Sequence, residues 1–239
     1  LCSRRHSRLA LTPSSGYGCT MMNIFRILGD LSHIFSFVLL LWKMYKARSV
    51  AGISLKTQQL YLAVFVSRYL DLAWNFTSLY NWVLKVLFIG CSAGVVVVMM
   101  RGKPHASTYN ADLDAFPWKY LVGPCAVLAV LINQDHRSPF EYIWAFSIYL
   151  EAVAILPQLA MLQKQGEVEN LTSHYVAALG AYRGFYLLNW IYRYFTEVHY
   201  VQRIVWFAGT VQTLLYCDFF YHYYNSKRAG LNKPVKLPI

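Results

Sequence analysis

Charged residues are scarce in this chain. Asp, Glu, Lys and Arg make up 14% of the 239 residues, whereas 57% are hydrophobic and 17% are aromatic. Soluble globular domains average about 25% charged residues, and a chain this apolar would leave large hydrophobic surfaces in contact with water. The composition therefore argues against an ordinary soluble domain and favours a membrane protein.

Motifs of catalytic and metal sites are also missing from the sequence. Five cysteines are present, but they form no Cys-x-x-Cys pair and have no zinc-site spacing. No glycine-rich phosphate-binding loop occurs, and the Ser, His and Asp residues follow no defensible triad order. We therefore expect a protein that is not an enzyme and that needs neither a metal nor another cofactor.

Long apolar runs account for most of the chain. A helix needs about 20 mostly apolar residues to cross the hydrocarbon core of a bilayer. Seven windows qualify, at residues 24–42, 58–78, 80–100, 117–133, 140–162, 174–194 and 203–224. The predicted fold is an all-α integral membrane domain, residues 22–224, with seven transmembrane helices. Residues 1–21 are predicted to be a disordered leader or upstream extension, and residues 225–239 a tail.

The distribution of Lys and Arg indicates how this domain is oriented. The first, third and fifth connections and the tail hold twelve of these cations, whereas the second, fourth and sixth connections hold two. Because cytosolic loops are enriched in Lys and Arg, the tail is predicted to be cytosolic and the N-terminus lumenal. Cations at the cytosolic edge, beside anionic membrane lipid, then explain the net charge of +11, and no nucleic-acid partner is expected.

Two segments of the chain resemble each other. TQQLYLAVFVSRYL (Thr57–Leu70) and TSHYVAALGAYRGF (Thr172–Phe185) each place an Arg eleven residues after a Thr, and they start 115 residues apart. Because these segments lie in the second and sixth spans, the copies run parallel. Pro157-Gln158, near the end of the fifth window, resembles the PQ-loop signature. The sequence thus predicts a SWEET/PQ-loop-like 3+1+3 parallel repeat, with its repeats and linking helix at residues 22–100, 138–224 and 117–133.

Ionisable and aromatic side chains recur along one face of several predicted spans. A charge at the bilayer centre costs about 2.5–3.5 kcal/mol on the insertion scale, so such residues normally face the bundle interior. The candidates are Arg26, Asp30 and His33 in the first span, Arg68 and Asp71 in the second, Glu141, Trp144 and Glu151 in the fifth, and Arg183, Tyr186, Trp190 and Arg193 in the sixth. These stripes predict a shared polar cavity.

Two interpretations of these charges stay open at this point. Pairs such as Glu151 with Arg183 could simply neutralise each other, and Arg26 and Lys85 could extend their charged ends to the membrane interface. Pairing would nevertheless leave several arginines over, and guanidinium groups around one cavity suit a small ligand with several carboxylates. The arginines expected to be left over are Arg26, Arg68 and Arg193.

Several longer stretches match one known family. They are MNIFRILGDLSH, ARSVAGIS, SRYLDL, FSIYLEAVAILPQL, LTSHYVAALGAYRGFYLLNWIYRY and VQTLLYCDFFY. From Met22 to Tyr224 the chain resembles the ER retention sequence receptors, the KDEL/HDEL receptor family. This resemblance implies a SWEET-like, seven-helix protein of Golgi and ER membranes. Such a receptor binds the C-terminal tetrapeptide of escaped ER proteins in the acidic Golgi and releases them in the neutral ER. The stretch EVHYVQRI departs from the family pattern, because it lacks an acidic residue expected there.

The resemblance also implies roles for the polar residues. A KDEL or HDEL terminus carries three negative groups and, at its first residue, one cationic or titratable group. By resemblance, the ligand-binding set for the negative groups comprises Arg26, Arg68, Tyr69, Tyr186, Trp190 and Arg193. The first residue is then expected to contact Asp71, Glu141 and Trp144, with Trp144 as a cation–π partner.

A pH switch and a sorting signal complete the functional expectation. His33 is placed at mid-span on a charged face, and an unperturbed histidine has a pKa of about 6.5, between the two compartments. Glu151, Tyr182 and Arg183 are expected to form the polar network that rearranges with it. In the tail, the resemblance implies that Lys233 and Lys236 form a sorting signal read by the COPI vesicle coat.

Two other functions fit the seven-span layout. SWEET and PQ-loop proteins transport small solutes by alternating access, and a small acidic solute could use the three arginines. Solute flux without peptide binding would identify such a transporter. A seven-span signalling receptor is disfavoured by the parallel repeat and by connections too short for an obvious G-protein surface.

Overall fold

The fold is a bundle of α-helices. The computed structural model describes residues 23–73, 76, 78–133, 136, 138–197, 203–228, 230 and 234–237. This part of the chain holds α1 (Ile24–Ala47), α2 (Leu55–Arg68), α3 (Leu79–Arg101), α4 (Lys119–Leu131), α5 (Pro139–Val153), α6 (Leu156–Gln165), α7 (Asn170–Thr196) and α8 (Arg203–Arg228). By length and hydropathy, α1, α3 and the stretch Pro139–Gln165 can each cross a membrane. The architecture therefore fits the predicted helical membrane protein.

Some predicted spans have different boundaries in the structure. The second span is shorter than expected, because α2 ends at Arg68 and a 3₁₀ turn, Leu70–Ala73, follows it. The fifth span is broken between α5 and α6 at Ala154 and Ile155. Pro157 lies in the first turn of α6 and has no N–H to donate to the preceding turn, so it favours a new helix start there. A hydropathy window detects neither break, because the residues around both are apolar.

Polar side chains fix where several helices begin. Asn23 caps α1 by accepting the N–H of Arg26 at 3.0 Å. Ser54 and Ser78 cap α2 and α3 in the same way, by accepting backbone N–H groups two or three residues inside each helix. These caps satisfy amides that would otherwise be unpaired at the helix ends. The helix starts are therefore encoded locally in the sequence.

The helices pack around an aromatic and aliphatic core. α1 lies chiefly against α7, while α2 packs on both α3 and α5, and α8 packs on α5 and α7. Large apolar side chains such as Phe35, Val38 and Trp42 point outward on α1 and are more than half exposed. An outer surface of this kind is normal when the surrounding solvent is lipid. The outward faces of the helices are thus apolar, and the buried polar side chains lie on the inward faces.

One end of the bundle carries a dense cluster of buried hydrogen bonds. Gln158 Nε2 donates to the Gly52 carbonyl at 2.8 Å, Gln158 Oε1 accepts the Ser54 N–H at 2.9 Å, and the Gln158 N–H donates to Thr57 Oγ1 at 2.9 Å. Lys43 Nζ donates to Thr172 Oγ1 and lies 2.9 Å from Glu169. The PQ cluster is defined here by Lys43, Ser54, Thr57, Gln158 and Thr172.

The connection between α3 and α4 folds against this end of the bundle. Asp114 is buried and accepts hydrogen bonds from Ser54 Oγ at 2.8 Å and from the Tyr109 hydroxyl at 2.8 Å. Burial and the hydrogen bond to Asp114 raise the pKa of Tyr109 above its usual value, so this phenol stays protonated as a donor. Asp114 therefore anchors the connection to the start of α2.

The tail of the chain pairs with another connection. Strand β1 (Glu167–Val168) and strand β2 (Val235–Lys236) form an antiparallel ladder in which Val168 faces Val235 and Glu167 faces Lys236. Both valines are buried. The all-α prediction missed this ladder, because two residues are too few to show a strand periodicity. Lys233 and the leader, residues 1–21, lie outside the described residues.

Candidate functional site

The other end of the bundle brings together most of the predicted site residues. At the start of α1, Asn23 Nδ2 donates to Asn189 Oδ1 on α7 at 2.7 Å. In the next turn, Arg26 Nη2 donates to Asn81 Oδ1 at the start of α3 at 2.8 Å. Because α2 runs antiparallel to α1, its final residue Arg68 lies at this end too. We call this the site end of the bundle.

A buried charged cluster lies where α2, α5 and α7 meet. Glu151 accepts from Arg68 Nη1 at 2.5 Å through Oε2, and from Arg183 Nη2 at 2.5 Å through Oε1. The Tyr182 hydroxyl also donates to Glu151 Oε1 at 2.8 Å. The Glu151 cluster is defined by these four residues. One carboxylate is therefore shared by two guanidinium groups, and the four side chains carry a net charge of about +1 when all are in their usual ionisation states.

Arg68 is held in place by more than its ion pair. Its Nε donates to Ser147 Oγ at 3.2 Å, and its Nη2 donates to the Ser147 carbonyl at 3.0 Å. A planar guanidinium with donors in a fixed fork can make these contacts at the same time, whereas an ammonium cannot. Ser147 was not identified from the sequence, because a serine in an apolar helix gives no periodic signal.

His33 is enclosed by aromatic rings. Its imidazole stacks on the Tyr182 ring with centroids 4.2 Å apart and on the Phe88 ring at 4.5 Å. Phe37 and Phe65 approach it at 5.5 and 5.6 Å. Since Tyr182 also donates to Glu151, one side chain connects the histidine to the Glu151 cluster. The predicted association of His33 with Tyr182 is therefore present in the structure as a ring stack.

Asp30 forms a second polar centre beside the Glu151 cluster. Its carboxylate accepts hydrogen bonds from the Tyr186 hydroxyl and, at 2.7 Å, from the Tyr80 hydroxyl. Arg26 Nε lies 4.0 Å from the same carboxylate. Tyr186 was predicted to bind ligand, and here its hydroxyl donates to a protein carboxylate. Tyr80 was missed because it lies in the first turn of α3, outside the charged stripes.

Arg193 and Trp190 lie toward the end of α7. Arg193 makes a two-point ion pair with Glu197, with both N···O distances at 2.8 Å. Trp190 is buried, its ring lies 5.8 Å from the Arg183 guanidinium, and it packs directly on Gly209 of α8. A Cβ at Gly209 would lie 2.2 Å from Cζ3 of Trp190, so this close approach needs a glycine.

Asp71 and Arg68 contact different side chains in the described part of the chain. It lies on the 3₁₀ turn after α2, and its Oδ1 accepts from Lys85 Nζ on α3 at 2.8 Å. The Lys85 ammonium also lies 5.7 Å from the centroid of the Tyr69 ring. The Lys85 amine therefore has a carboxylate partner, and its side chain is 12% exposed. Because α2 ends at Arg68, Arg68 and Asp71 do not continue on one helical face.

Each of the arginines expected to be left over has a carboxylate nearby in the described residues, but Arg68 shares Glu151 with Arg183, so that cluster keeps an excess of positive charge. Arg68 pairs with Glu151, Arg193 pairs with Glu197, and Arg26 approaches Asp30. The Arg193 partner was readable from the sequence as an i, i+4 pair on one helix. The Arg68 partner was not, because the pair joins side chains 83 positions apart.

Two predicted residues lie at the start of α5. Glu141 is in the first turn of that helix, and Trp144 follows one turn later and is partly buried against the core. Trp144 also contributes its carbonyl to the Ser147 hydroxyl at 2.6 Å. The site end thus combines arginines from three helices with carboxylates and aromatic rings from their neighbours.

Comparison with known proteins places this arrangement in one family. The family model of the ER lumen protein retaining receptor matches residues 49–193. ER lumen protein-retaining receptor A of Arabidopsis thaliana is 53% identical over 217 residues, which cover 91% of this chain and all of that protein. The receptor of Drosophila melanogaster is 52% identical over 217 residues, which again cover 91% of this chain and all of that protein. The receptor of Plasmodium falciparum is 47% identical over 219 residues, which cover 91% of this chain and 98% of that protein. The chain therefore belongs to the ER lumen protein-retaining receptors, a family of membrane receptors of the secretory pathway.

Proposed function

We propose that this receptor binds escaped ER proteins through a C-terminal tetrapeptide of the KDEL or HDEL type and returns them from the Golgi to the ER. The observation that carries the proposal is the convergence of Arg26, Arg68 and Arg193 at the site end of a membrane bundle. Three guanidinium groups match the two acidic side chains and the free carboxylate of such a peptide. The family name supports cargo from the ER lumen.

Ligand binding in this proposal is an exchange of carboxylates. Arg68 and Arg193 each hold a protein carboxylate, so both guanidinium groups are compensated before the peptide arrives. A ligand carboxylate that replaces Glu151 or Glu197 keeps each arginine paired throughout. Tyr69, Tyr186 and Trp190 would then pack against the peptide, while Asp71, Glu141 and Trp144 would contact its first residue. The site can therefore be stable when empty and still bind an acidic terminus.

Acid-dependent binding is the second part of the proposal. Protonated His33 would lie between the faces of Tyr182 and Phe88, an enclosure that suits a cation. The charged groups that act on it electrostatically are Glu151, Arg183 and Arg68. A ligand carboxylate that takes Arg68 from Glu151 leaves more of the Glu151 charge to stabilise an imidazolium. By linkage, protonation of His33 then strengthens peptide binding by the same factor.

A parallel repeat of the SWEET/PQ-loop type is the proposed frame for this exchange. Thr57 and Thr172, which are 115 positions apart, each accept a hydrogen bond from the opposite half of the chain. Arg68 and Arg183 have the same separation and meet on one carboxylate. Such reciprocal contacts are expected when two similar three-helix units face each other. In this proposed frame, Glu151 of the second unit joins the two units through its ion pair with Arg68.

The tail is proposed to carry the retrieval signal. The topology suggested by the charge distribution places this tail in the cytosol and the site end in the lumen. Lys236 lies on β2 opposite Glu167, and Lys233 comes shortly before this strand. We propose that the COPI coat reads these lysines and that their accessibility differs between the empty and the ligand-bound receptor. Replacing both by alanine should leave peptide affinity intact but hold cargo-loaded receptor in the Golgi.

Binding of a labelled HDEL peptide to purified receptor at pH 6.0 and 7.4 tests the proposed function. Arg68→Ala should cost about 2–5 kcal/mol of binding free energy, while the protein stays folded because Glu151 keeps Arg183 as its partner. Arg68→Lys should rescue poorly, since lysine lacks the planar fork. Arg101→Ala removes the same charge at the opposite end of the bundle and serves as the control.

Three results would overturn this function. The first is wild-type receptor that fails to bind the peptide at either pH. The second is full affinity in folded Arg68→Ala protein, which would remove Arg68 from the site. The third is transport of an acidic solute by reconstituted receptor without peptide binding, which would favour the transporter.

A further inference from the structure

Lys85 occupies a position that the proposed ligand would need. Its ammonium lies 2.8 Å from Asp71 Oδ1 and 5.7 Å from the Tyr69 ring centroid. Both partners belong to the residue set proposed above to contact the peptide. A carboxylate together with an aromatic ring is a typical environment for a ligand cation. Lys85 therefore already makes the contact with Asp71 that the cationic first residue of a peptide would make.

The ion pair of Lys85 and Asp71 joins two separate elements of the fold. Asp71 lies on the 3₁₀ turn after α2, whereas Lys85 lies in the second turn of α3, at the site end of the bundle. The Lys85 side chain is 12% exposed and that of Asp71 is 25% exposed, so the pair is partly accessible from outside the bundle. A pair with this exposure is held less tightly than a fully buried one, and an incoming cation can replace one partner.

We propose that Lys85 is an internal competitor for the ligand's cationic group and sets the receptor's selectivity for it. In the empty receptor Lys85 neutralises Asp71. A peptide with its own cation at the first position displaces Lys85 from Asp71, whereas a peptide without one leaves the internal pair in place. Lys85 thereby lowers the affinity gained from a ligand cation. The inference rests on the proposed function, because it names a specificity-determining residue of that same site.

An alternative role for Lys85 predicts the opposite result. If the lysine only holds Asp71 in the correct position, its removal should misplace Asp71 and weaken recognition of the ligand cation. Removing a positive charge should also weaken the binding of every acidic peptide. The comparison of two peptides that differ only at the first residue separates these effects, since the general loss of charge cancels in the ratio of their affinities.

The experiment measures dissociation constants of peptides ending in Lys-Asp-Glu-Leu and Ala-Asp-Glu-Leu with wild type and Lys85→Met receptor. The preference for the lysine peptide should rise about tenfold in Lys85→Met, which corresponds to about 1.4 kcal/mol. Lys85→Arg keeps the charge and should leave the preference near the wild-type value. An unchanged or reduced preference in folded Lys85→Met protein would overturn the inference.

A double-mutant cycle covers the case in which Lys85→Met fails to fold. Asp71→Asn and the combined Asp71→Asn, Lys85→Gln variant should show the same peptide preference, because no carboxylate remains for lysine and ligand to compete for. Lys85→Gln alone should raise the preference, and failure to do so would contradict competition. Wild-type receptor that binds neither peptide would overturn the proposed function itself. Wild-type binding with a preference that is insensitive to residue 85 would overturn only the role of Lys85.

Discussion

The two polar clusters of the bundle use corresponding positions of α2 and α7 in different ways. Thr57 and Thr172 belong to the PQ cluster, where each hydroxyl accepts a single hydrogen bond. Arg68 and Arg183, eleven residues further along each helix, meet on Glu151. In the PQ cluster each threonine oxygen has its own donor, which fixes the geometry. The Glu151 cluster shares one anion between two cations, so an arriving anion can redistribute the partners.

This difference indicates which contacts of the receptor can change when a ligand binds. Moving a residue of the PQ cluster would leave a buried amide or carbonyl without a partner, which costs about 1–3 kcal/mol for each group. In the Glu151 cluster, a ligand carboxylate can replace the anion on one arginine while Glu151 stays with the other. We therefore expect the PQ cluster to stabilise the fold and the Glu151 cluster to respond to ligand.

The largest expected effect comes from removing the shared anion. Glu151→Gln leaves Arg68 and Arg183 buried without their carboxylate, and the expected loss of unfolding free energy is about 3–5 kcal/mol. The unfolding midpoint of purified receptor in detergent measures it. Glu167→Gln makes the same chemical change at an exposed position of β1 and should shift the midpoint little. Equal midpoints for the two variants would show that the two arginines do not depend on Glu151.

A smaller loss is expected in the PQ cluster. Gln158→Leu keeps the volume of the side chain but leaves the Ser54 N–H and the Gly52 carbonyl unpaired. The expected cost is about 1–3 kcal/mol in the same unfolding measurement. Gln163→Leu, an exposed position on the same helix, is the matched control. A Gln158→Leu protein as stable as this control would mean that the cluster does not fix the geometry.

The two corresponding threonines sharpen the comparison further. Thr57→Val removes the acceptor of a backbone N–H, whereas Thr172→Val removes the acceptor of the Lys43 ammonium. We expect about 1 kcal/mol for Thr57→Val and somewhat more for Thr172→Val, because hydrogen bonds to charged groups are the stronger ones. Unfolding midpoints of the two single variants give the order. The reverse order would show that Lys43 is compensated mainly by Glu169.

At the proposed switch we expect a small effect on stability and a clear effect on the pH dependence of binding. His33→Phe keeps an aromatic ring in the enclosure, so the unfolding free energy should change by less than about 1.5 kcal/mol. Wild-type receptor should bind the HDEL peptide more tightly at pH 6.0 than at pH 7.4, because the protonated imidazole favours the bound state. This difference in affinity should disappear in His33→Phe. His222→Phe, beside Asp218 on α8, should keep the difference. A pH dependence that survives in His33→Phe would place the switch elsewhere.

The helical membrane fold was predictable from the sequence, and its breaks were not. Hydropathy identifies α1 and α3 well, because lipid contact requires long apolar runs whatever lies inside the bundle. The ends of α2 and α5 depend on local geometry around Arg68 and Pro157 that a 20-residue window averages away. The β1–β2 ladder was missed for a related reason, because its pairing joins residues almost seventy positions apart.

The composition of the site was more predictable than its pairing. Charges in apolar helices, such as Arg68 and Glu151, stand out because a bilayer disfavours them. Which carboxylate each arginine contacts depends on helix packing, so the partners Glu151 for Arg68 and Lys85 for Asp71 were not foreseen. Uncharged partners such as Asn81 gave no signal, since a single polar residue at a helix start is common.

The contacts of the PQ cluster form between parts of the receptor that the ribosome makes at different times. Thr57 and the Gln158 N–H that it accepts are 101 positions apart in the chain. At about 5–20 residues per second, the ribosome needs roughly 5–20 s to make that interval. During this delay α2 has already been synthesised, while its first turn lacks the partners that it has in the finished fold. The translocation machinery or interfacial water must solvate that turn until the second half of the chain arrives, so this interval is a vulnerable stage of the receptor's biogenesis.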